Sequence, residues 1–196
     1  AGDSEALRRL RRVHGPGTPG DEGLWEEEFS LDGFKTLLRL AANRAGKRPP
    51  RVLERYPFLV GANPADLPGI DELQALLASG AALIATADPI HHGAGYGTAP
   101  AECRPLQDPA THVAATASVL AGLDHLAAGR LADFLRHCES AKSDFRDPGA
   151  TLSALLGNGL NVRLHDLRLV DYHDVLACAS PTWVAGALFT LSNEKR

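Results

Sequence analysis

The stretch AALIATADPIHHGAGYG, residues 81–97, joins an apolar run to a loop rich in ionisable residues and glycine. Ala81–Ala87 is apolar and bounded by turn-forming residues, which is typical of a strand covered on both faces. Pro89 lacks the N–H that a strand ladder uses, so we expect the strand to end near Asp88. The three glycines around Tyr96 then favour a tight backbone turn.

Helix and strand patterns alternate on both sides of this stretch. The predicted helices are Ser4–Val13, one that Ser30 caps and Gly46 stops, Ile70–Ala78, a pair within Asp108–His137 broken near Gly129, and one from Pro148 to Gly157. The predicted strands are Val52–Gly61, Ala81–Ala87, Val162–Tyr172 and Thr182–Leu191. This alternation predicts a single α/β domain over residues 1–196, with a mixed, largely parallel sheet and helices on both faces.

The composition limits the classes of function. Of the 196 residues, 44% are hydrophobic and 22% are charged, which is enough apolar content for a buried core. The net charge of -4 offers no general attraction to nucleic acid or to an anionic membrane. Three cysteines without a CxxC pair indicate a reducing compartment, and no signal peptide or membrane span is visible. We therefore expect a soluble, cytoplasmic protein.

Asp88, His91 and His92 are the first candidates for catalytic residues. A carboxylate three residues from an imidazole can fix the tautomer of the ring and raise its basicity, as in a general base or a histidine near a metal. A capped surface turn with two solvent-facing imidazoles is the alternative. The sequence leaves open which of the two histidines faces a pocket.

Asp144 is the candidate metal ligand, in the stretch SAKSDFRDPGA. The neighbouring Asp147 and Arg146 also fit an ordinary helix cap and an ion-pair partner. Tyr96, Arg146 and Tyr172 are candidates to line a pocket or to hold an anionic group of a small-molecule substrate.

The order of five segments resembles the C-terminal half of the MEMO-like proteins, which are relatives of the class III extradiol dioxygenases. The segments are EEEFSLDGFKTLL, RYPFLVGANP, ALIATADPIHHGAGYG, SDFRDPGATLSALL and LRLVDYHDVLACASPTWVAGALFTL. Together they span about residues 24–191. The resemblance implies a MEMO/LigB-like fold, of which this chain is the C-terminal part.

The resemblance also implies site residues and a cofactor. Asp88 and His91 match a D-x-x-H pair whose histidine acts as acid and base toward catechol and oxygen, and His92 takes a variable position. Asp144 falls where MEMO-like proteins place a metal-binding cysteine and the dioxygenases a carboxylate. A hard oxygen ligand favours Fe(II) or Mn(II), although another divalent metal stays open. The implied activity is that of a non-haem iron oxidoreductase acting on a small aromatic or catechol-like substrate with O₂.

The chain also departs from the family pattern. Phe29 replaces a histidine, and Thr36 and Leu37 replace a Pro-Tyr pair, which suggests a reshaped pocket. The two histidine ligands of the family lie in an N-terminal half that has no counterpart here. We therefore expect a missing N-terminal half, a partner chain or second copy in a homo-oligomer that supplies it, or loss of the metal. In the last case the chain is a non-catalytic binding or signalling module.

Overall fold

The computed structural model describes residues 30–53 and 70–193. Contacts within the chain group into two compact units, residues 1–86 and 87–196, and each is described by itself. The predicted helix Ser4–Val13 and most of the predicted strand Val52–Gly61 lie outside the described residues, as does Phe29. The single-domain organisation stays a prediction.

The described part of the first unit contains two helices, α1 (Ser30–Arg44) and α2 (Ile70–Ala78). Both confirm the sequence prediction, and each is followed by a glycine with a left-handed backbone, as helix ends commonly are. Ala81–Ala87, predicted as a buried strand, instead has an irregular backbone. Ile84 is 59% exposed. Four alanines in this run bury little apolar area, so the run does not drive strand packing by itself.

The described part of the second unit contains three strands and three α-helices, which are β1 (Ile90–Gly93), α3 (Pro109–Ala127), α4 (Leu131–Ala141), α5 (Arg146–Leu156), β2 (Asn161–Asp171) and β3 (Thr182–Ser192). Two short 3-10 helices, Ala94–Tyr96 and Pro100–Glu102, lie between β1 and α3. The Asp108 carboxylate caps α3 by accepting a hydrogen bond from the Ala110 N–H at 2.9 Å. Gly129, with φ +71°, separates α3 from α4 as the sequence predicts.

The three strands form one sheet in the order β1-β3-β2. Both pairings are antiparallel, with Ala185 opposite both Ile90 and Leu169. The mixed helix and strand content confirms the predicted class, but this sheet is not the largely parallel one that we expected. The difference arises because β2 and β3 are joined without a crossover helix, and such consecutive strands pair antiparallel.

The core of the second unit lies between the sheet and its helices. Its buried residues come from α3, α4, α5 and the connection before α5, and from alternate positions on one side of the strands, including Ile90, Leu167, Trp183 and Ala185. Phe134 is fully buried and packs edge-on against Phe145, with ring centroids 5.5 Å apart. The helices of this unit therefore pack on the side of the sheet that carries Ile90, Trp183 and Ala185. No helix within residues 30–53 and 70–193 has the length and apolarity to cross a bilayer.

Candidate metal centre

β1 determines the directions of the two adjacent histidines. The strand begins after Pro89, whereas the sequence predicted that a strand would end there. Ile90 is 6% exposed and is the first residue of β1, where it pairs with Ala185. Pro89, which has no N–H to donate, therefore lies just before the ladder begins. Because successive side chains alternate across a strand, His92 follows Ile90 to the core side and His91 points to the other side.

Asp144 reaches β1 through the connection between α4 and α5. Its backbone N–H donates a hydrogen bond to the Asp88 carbonyl at 3.1 Å. The Ser143 hydroxyl donates to the same carbonyl at 3.2 Å and accepts from the Phe145 N–H at 3.1 Å. These bonds hold the two carboxylate-bearing segments side by side.

Asp88, His91 and Asp144, hereafter the triad, bring two carboxylates and an imidazole together. His91 Nε2 lies 3.6 Å from Asp88 Oδ2 and 3.7 Å from Asp144 Oδ2. One ligand atom from each residue lies within 4.8 Å of the other two. The His91 side chain is 11% exposed and that of Asp144 is 72% exposed. The imidazole thus forms the floor of the site and Asp144 its solvent-facing rim.

The hydrogen bond made by Nδ1 of His91 determines the tautomer of the ring. Nδ1 lies 2.5 Å from the carbonyl oxygen of Lys142. A carbonyl only accepts hydrogen bonds, so Nδ1 carries the proton and donates it. In the neutral ring Nε2 then keeps its lone pair, and that atom faces both carboxylates. A backbone carbonyl on the distal nitrogen is the usual support of a metal-binding histidine.

The charges of the site favour a cation at Nε2. The pKa of His91 is raised above its ordinary value, chiefly by its interaction with the Asp88 carboxylate. Burial acts in the opposite direction, and the Lys142 carbonyl and the charge of Asp144 add to the increase in pKa. A proton thus occupies the imidazole readily, and a divalent cation would compete with that proton for the same lone pair.

The spacing of the triad fits a divalent metal. Metal–ligand bonds of about 2.0–2.2 Å leave neighbouring ligand atoms roughly 3–3.6 Å apart. Of the two separations from His91 Nε2, the 3.6 Å to Asp88 lies at the upper limit of this range and the 3.7 Å to Asp144 lies just above it, so small side-chain movements would close the site. Carboxylate oxygens with one imidazole suit Fe(II), Mn(II) or Zn(II) rather than a soft, thiolate-preferring ion.

Tyr96 forms an aromatic wall beside the triad. Its ring packs on that of His91 with centroids 4.6 Å apart and planes tilted by 42°. Burial raises the pKa of Tyr96, and the nearby Tyr172, Asp88 and Asp144 raise it further. The phenol therefore stays protonated, and Tyr172 lies near enough to act on it electrostatically.

Gly93 and Gly95 are required because the β2–β3 connection, residues 172–181, packs directly against them. Gly93 has φ +105°, and a Cβ there would lie 2.0 Å from the Pro181 carbonyl oxygen. A Cβ on Gly95 would lie 2.6 Å from Cys178 Sγ, and the Gly95 N–H donates to the Thr182 hydroxyl at 3.0 Å. The connection packs closely on residues 93–97, hereafter the Tyr96 turn, so that side chains at Gly93 and Gly95 have no room.

His92 and Arg146 have other partners. The His92 ring stacks on Trp183 with centroids 4.5 Å apart, and its Nε2 accepts a hydrogen bond from the Arg104 N–H at 2.9 Å. Burial lowers the pKa of His92, and the charges of Arg104 and Lys142 add to that effect. Arg146 donates to the Asp147 carboxylate at 3.0 Å, as in the ion-pair alternative.

His173 is held by carboxylates of its own turn. Nδ1 lies 2.8 Å from Asp171 and Nε2 lies 3.1 Å from Asp174. The pKa of His173 is raised, chiefly by its side-chain hydrogen bond to Asp171. The pKa of Asp171 is lowered, chiefly by the hydrogen bond that it accepts from the backbone N–H of His173 and next by the imidazole. Both nitrogens of His173 face carboxylates, and neither is held by a backbone carbonyl as His91 Nδ1 is, so this turn does not repeat the arrangement of the triad.

Lys142 is the site residue that the sequence reasoning missed. It ends α4 with φ 51° and ψ 46°, a left-handed conformation that glycine usually adopts at such positions. The only sequence signal for a role of Lys142 is that α4 ends without a glycine shortly before the candidate ligand Asp144. This signal is weak.

No protein-family model matches the chain. Curated proteins and solved structures give no match either. The resemblance to the MEMO-like proteins accordingly stays a prediction, and the case for a metal centre rests on the geometry of the triad.

Proposed function

We propose that the triad binds one divalent cation, and that the chain is a non-haem metal-dependent oxidoreductase acting on a small aromatic or catechol-like substrate. The observation that carries the proposal is the convergence of Asp88, His91 and Asp144 to within 4.8 Å. Fe(II) is the metal that we expect, because hard carboxylate oxygens with one imidazole suit it and the resemblance implies iron.

The exposure of the triad is consistent with access to the metal. Asp144 is 72% exposed, so one side of the site faces solvent. When bound there, the cation would supply a Lewis acid for substrate oxygens and a redox partner for O₂. We therefore expect small ligands to approach the metal from the side of Asp144.

The aromatic wall favours a planar substrate. The Tyr96 ring packs beside the triad, and a flat aromatic ring can stack on such a surface. Because the raised pKa keeps the Tyr96 phenol protonated, its hydroxyl can donate a hydrogen bond to a substrate oxygen. Tyr96 thus orients the substrate in this proposal.

His91 has a different role here from the acid–base role that the resemblance implies. An imidazole has one lone pair, and Nδ1 already donates its proton to the Lys142 carbonyl. Nε2 can therefore either hold the metal or accept a proton from the substrate, but it cannot do both at once. We assign it to the metal.

Oxygen uptake with an iron-loaded sample tests the proposed activity. Protein loaded anaerobically with Fe(II) is mixed with a panel of catechols, and O₂ consumption is followed with the ultraviolet spectrum of the product. Extradiol ring opening consumes one O₂ per ring, and both oxygen atoms enter the product. We expect this stoichiometry from the wild type and its loss in Asp144→Ala. Metal binding without oxygen uptake would instead support the non-catalytic module.

A further inference from the structure

Lys142 contacts residues 91–96 through two groups, its backbone carbonyl and its side-chain ammonium. Its carbonyl accepts the proton of His91 Nδ1 at 2.5 Å. Its ammonium donates to the backbone carbonyl of Tyr96. Lys142, at the end of α4, is therefore hydrogen-bonded both to β1 and to the turn that follows β1.

The backbone conformation of Lys142 directs its carbonyl. In a continuing α-helix the carbonyl of residue 142 would point along the helix axis. The left-handed φ of 51° turns the chain out of the helix and directs that carbonyl at His91. The N–H of Lys142 still closes the helix, since it bonds to the carbonyls of Cys138 and Glu139.

We propose that Lys142 is a positioning residue for the metal centre, because its left-handed backbone fixes the Nδ1–H tautomer of His91 and so presents the Nε2 lone pair to the cation. The inference rests on the proposed metal site. The ammonium contact with Tyr96 tethers the same turn, and it explains why lysine fills a position that glycine would occupy with less strain.

Two substitutions separate the effect of the Lys142 backbone conformation from the effect of its ammonium group. Lys142→Gly removes the ammonium but adopts the left-handed conformation freely, so the carbonyl still reaches His91. Lys142→Val also removes the ammonium, and its branched side chain resists that conformation. We expect Lys142→Val to weaken Co(II) affinity, measured by visible absorption, about tenfold or more. We expect Lys142→Gly to lose much less.

A strain control accompanies the pair. Gly159 has φ +74° and an open surrounding, so Gly159→Val strains the backbone away from the triad. We expect it to lower the thermal midpoint as Lys142→Val does while leaving Co(II) affinity unchanged. If Lys142→Val does not fold, Lys142→Ala replaces it in the comparison, and we expect a smaller loss of Co(II) affinity. Equal losses in Lys142→Gly and Lys142→Val would assign the effect to the ammonium and overturn the proposal.

The tautomer of His91 tests the inference without metal. In ¹⁵N-labelled metal-free protein, two-bond nitrogen–proton spectra at alkaline pH distinguish Nδ1–H from Nε2–H rings. We expect Nδ1–H in the wild type and in Lys142→Gly, and a mixture in Lys142→Val. A wild type that binds no Co(II) but shows this pattern would refute the metal site alone. A wild-type ring in the Nε2–H form would refute the role of Lys142.

Discussion

At the scale of single residues, His91 and His92 show how one peptide bond separates two environments. Both imidazoles lie on β1, but strand alternation directs His91 to the triad and His92 to the ring of Trp183. The sequence identified the pair and could not choose between them, because the strand was expected to end near Asp88 and to leave both histidines in a loop. The choice required the pairing of Ile90 with Ala185, which is a tertiary contact.

Substituting each histidine should therefore have a different effect. His92→Ala removes a stacked ring and the acceptor for the Arg104 N–H, so we expect a loss of about 1–3 kcal/mol of stability. Its metal affinity should stay at the wild-type value. His91→Ala should reduce metal affinity more than about 100-fold. Chemical denaturation and a metal titration on both variants measure the two effects, and reversed results would show that the wrong histidine has been assigned to the site.

The titration of His91 should make the stability of the metal-free protein depend on pH. Because the folded pKa of His91 is raised, its stabilisation is fully present below the unfolded pKa of about 6.5 and is lost as pH rises through the folded pKa. Asp88→Asn removes the largest cause of the raised pKa. We expect the stability difference between wild type and Asp88→Asn, measured in urea titrations, to shrink as pH rises from below about 6.5 through the folded pKa of His91. A difference that stays constant over this range would contradict the assignment.

At the scale of elements, the close contact between the Tyr96 turn and the β2–β3 connection depends on Gly93. A Cβ there would meet the backbone of Pro181 and Thr182 at 2.0–2.7 Å. We expect Gly93→Ala to cost more than about 2 kcal/mol. Gly186→Ala in β3, where nothing lies within 4 Å, is the matched control and should change stability by less than about 1 kcal/mol. Similar small effects from both would mean that the turn and the connection are not in contact.

Sequence patterns predicted the longer elements more reliably than the short ones. α2 was predicted at its observed bounds, and β2 and β3 within a residue of theirs, because each carries a periodic pattern over many positions. β1 was missed because four residues carry no resolvable period. Ala81–Ala87 was wrongly predicted because an apolar run does not show whether another element covers it.

At the scale of the whole molecule, the class of fold could be predicted but the strand directions could not. Alternating helices and strands indicate a mixed fold, whereas strand direction depends on which edges meet in space. The candidate site was predictable as residue types, since Asp88, His91 and Asp144 all stand out in the sequence. Their convergence depends on the left-handed turn at Lys142, for which no local pattern gives a strong signal.

The triad and the buried core around Phe134 both lie within residues 87–193. We therefore expect a fragment of residues 87–193 to fold alone and to bind metal with an affinity close to that of the whole chain. Trp183, which is 3% exposed, provides a fluorescence signal for its cooperative unfolding. A fragment that unfolds without cooperativity would show that the second unit depends on the first.

Isothermal titration of the chain with Mn(II), and with Fe(II) under anaerobic conditions, measures whether the triad holds a metal ion. We predict one site per chain, with affinity reduced more than about 100-fold in Asp144→Ala and in His91→Ala, because each removes a ligand. Asp174→Asn, which changes an exposed carboxylate beside His173, should bind as the wild type does. Absence of binding to the wild type, or equal affinity in Asp144→Ala, would contradict the account.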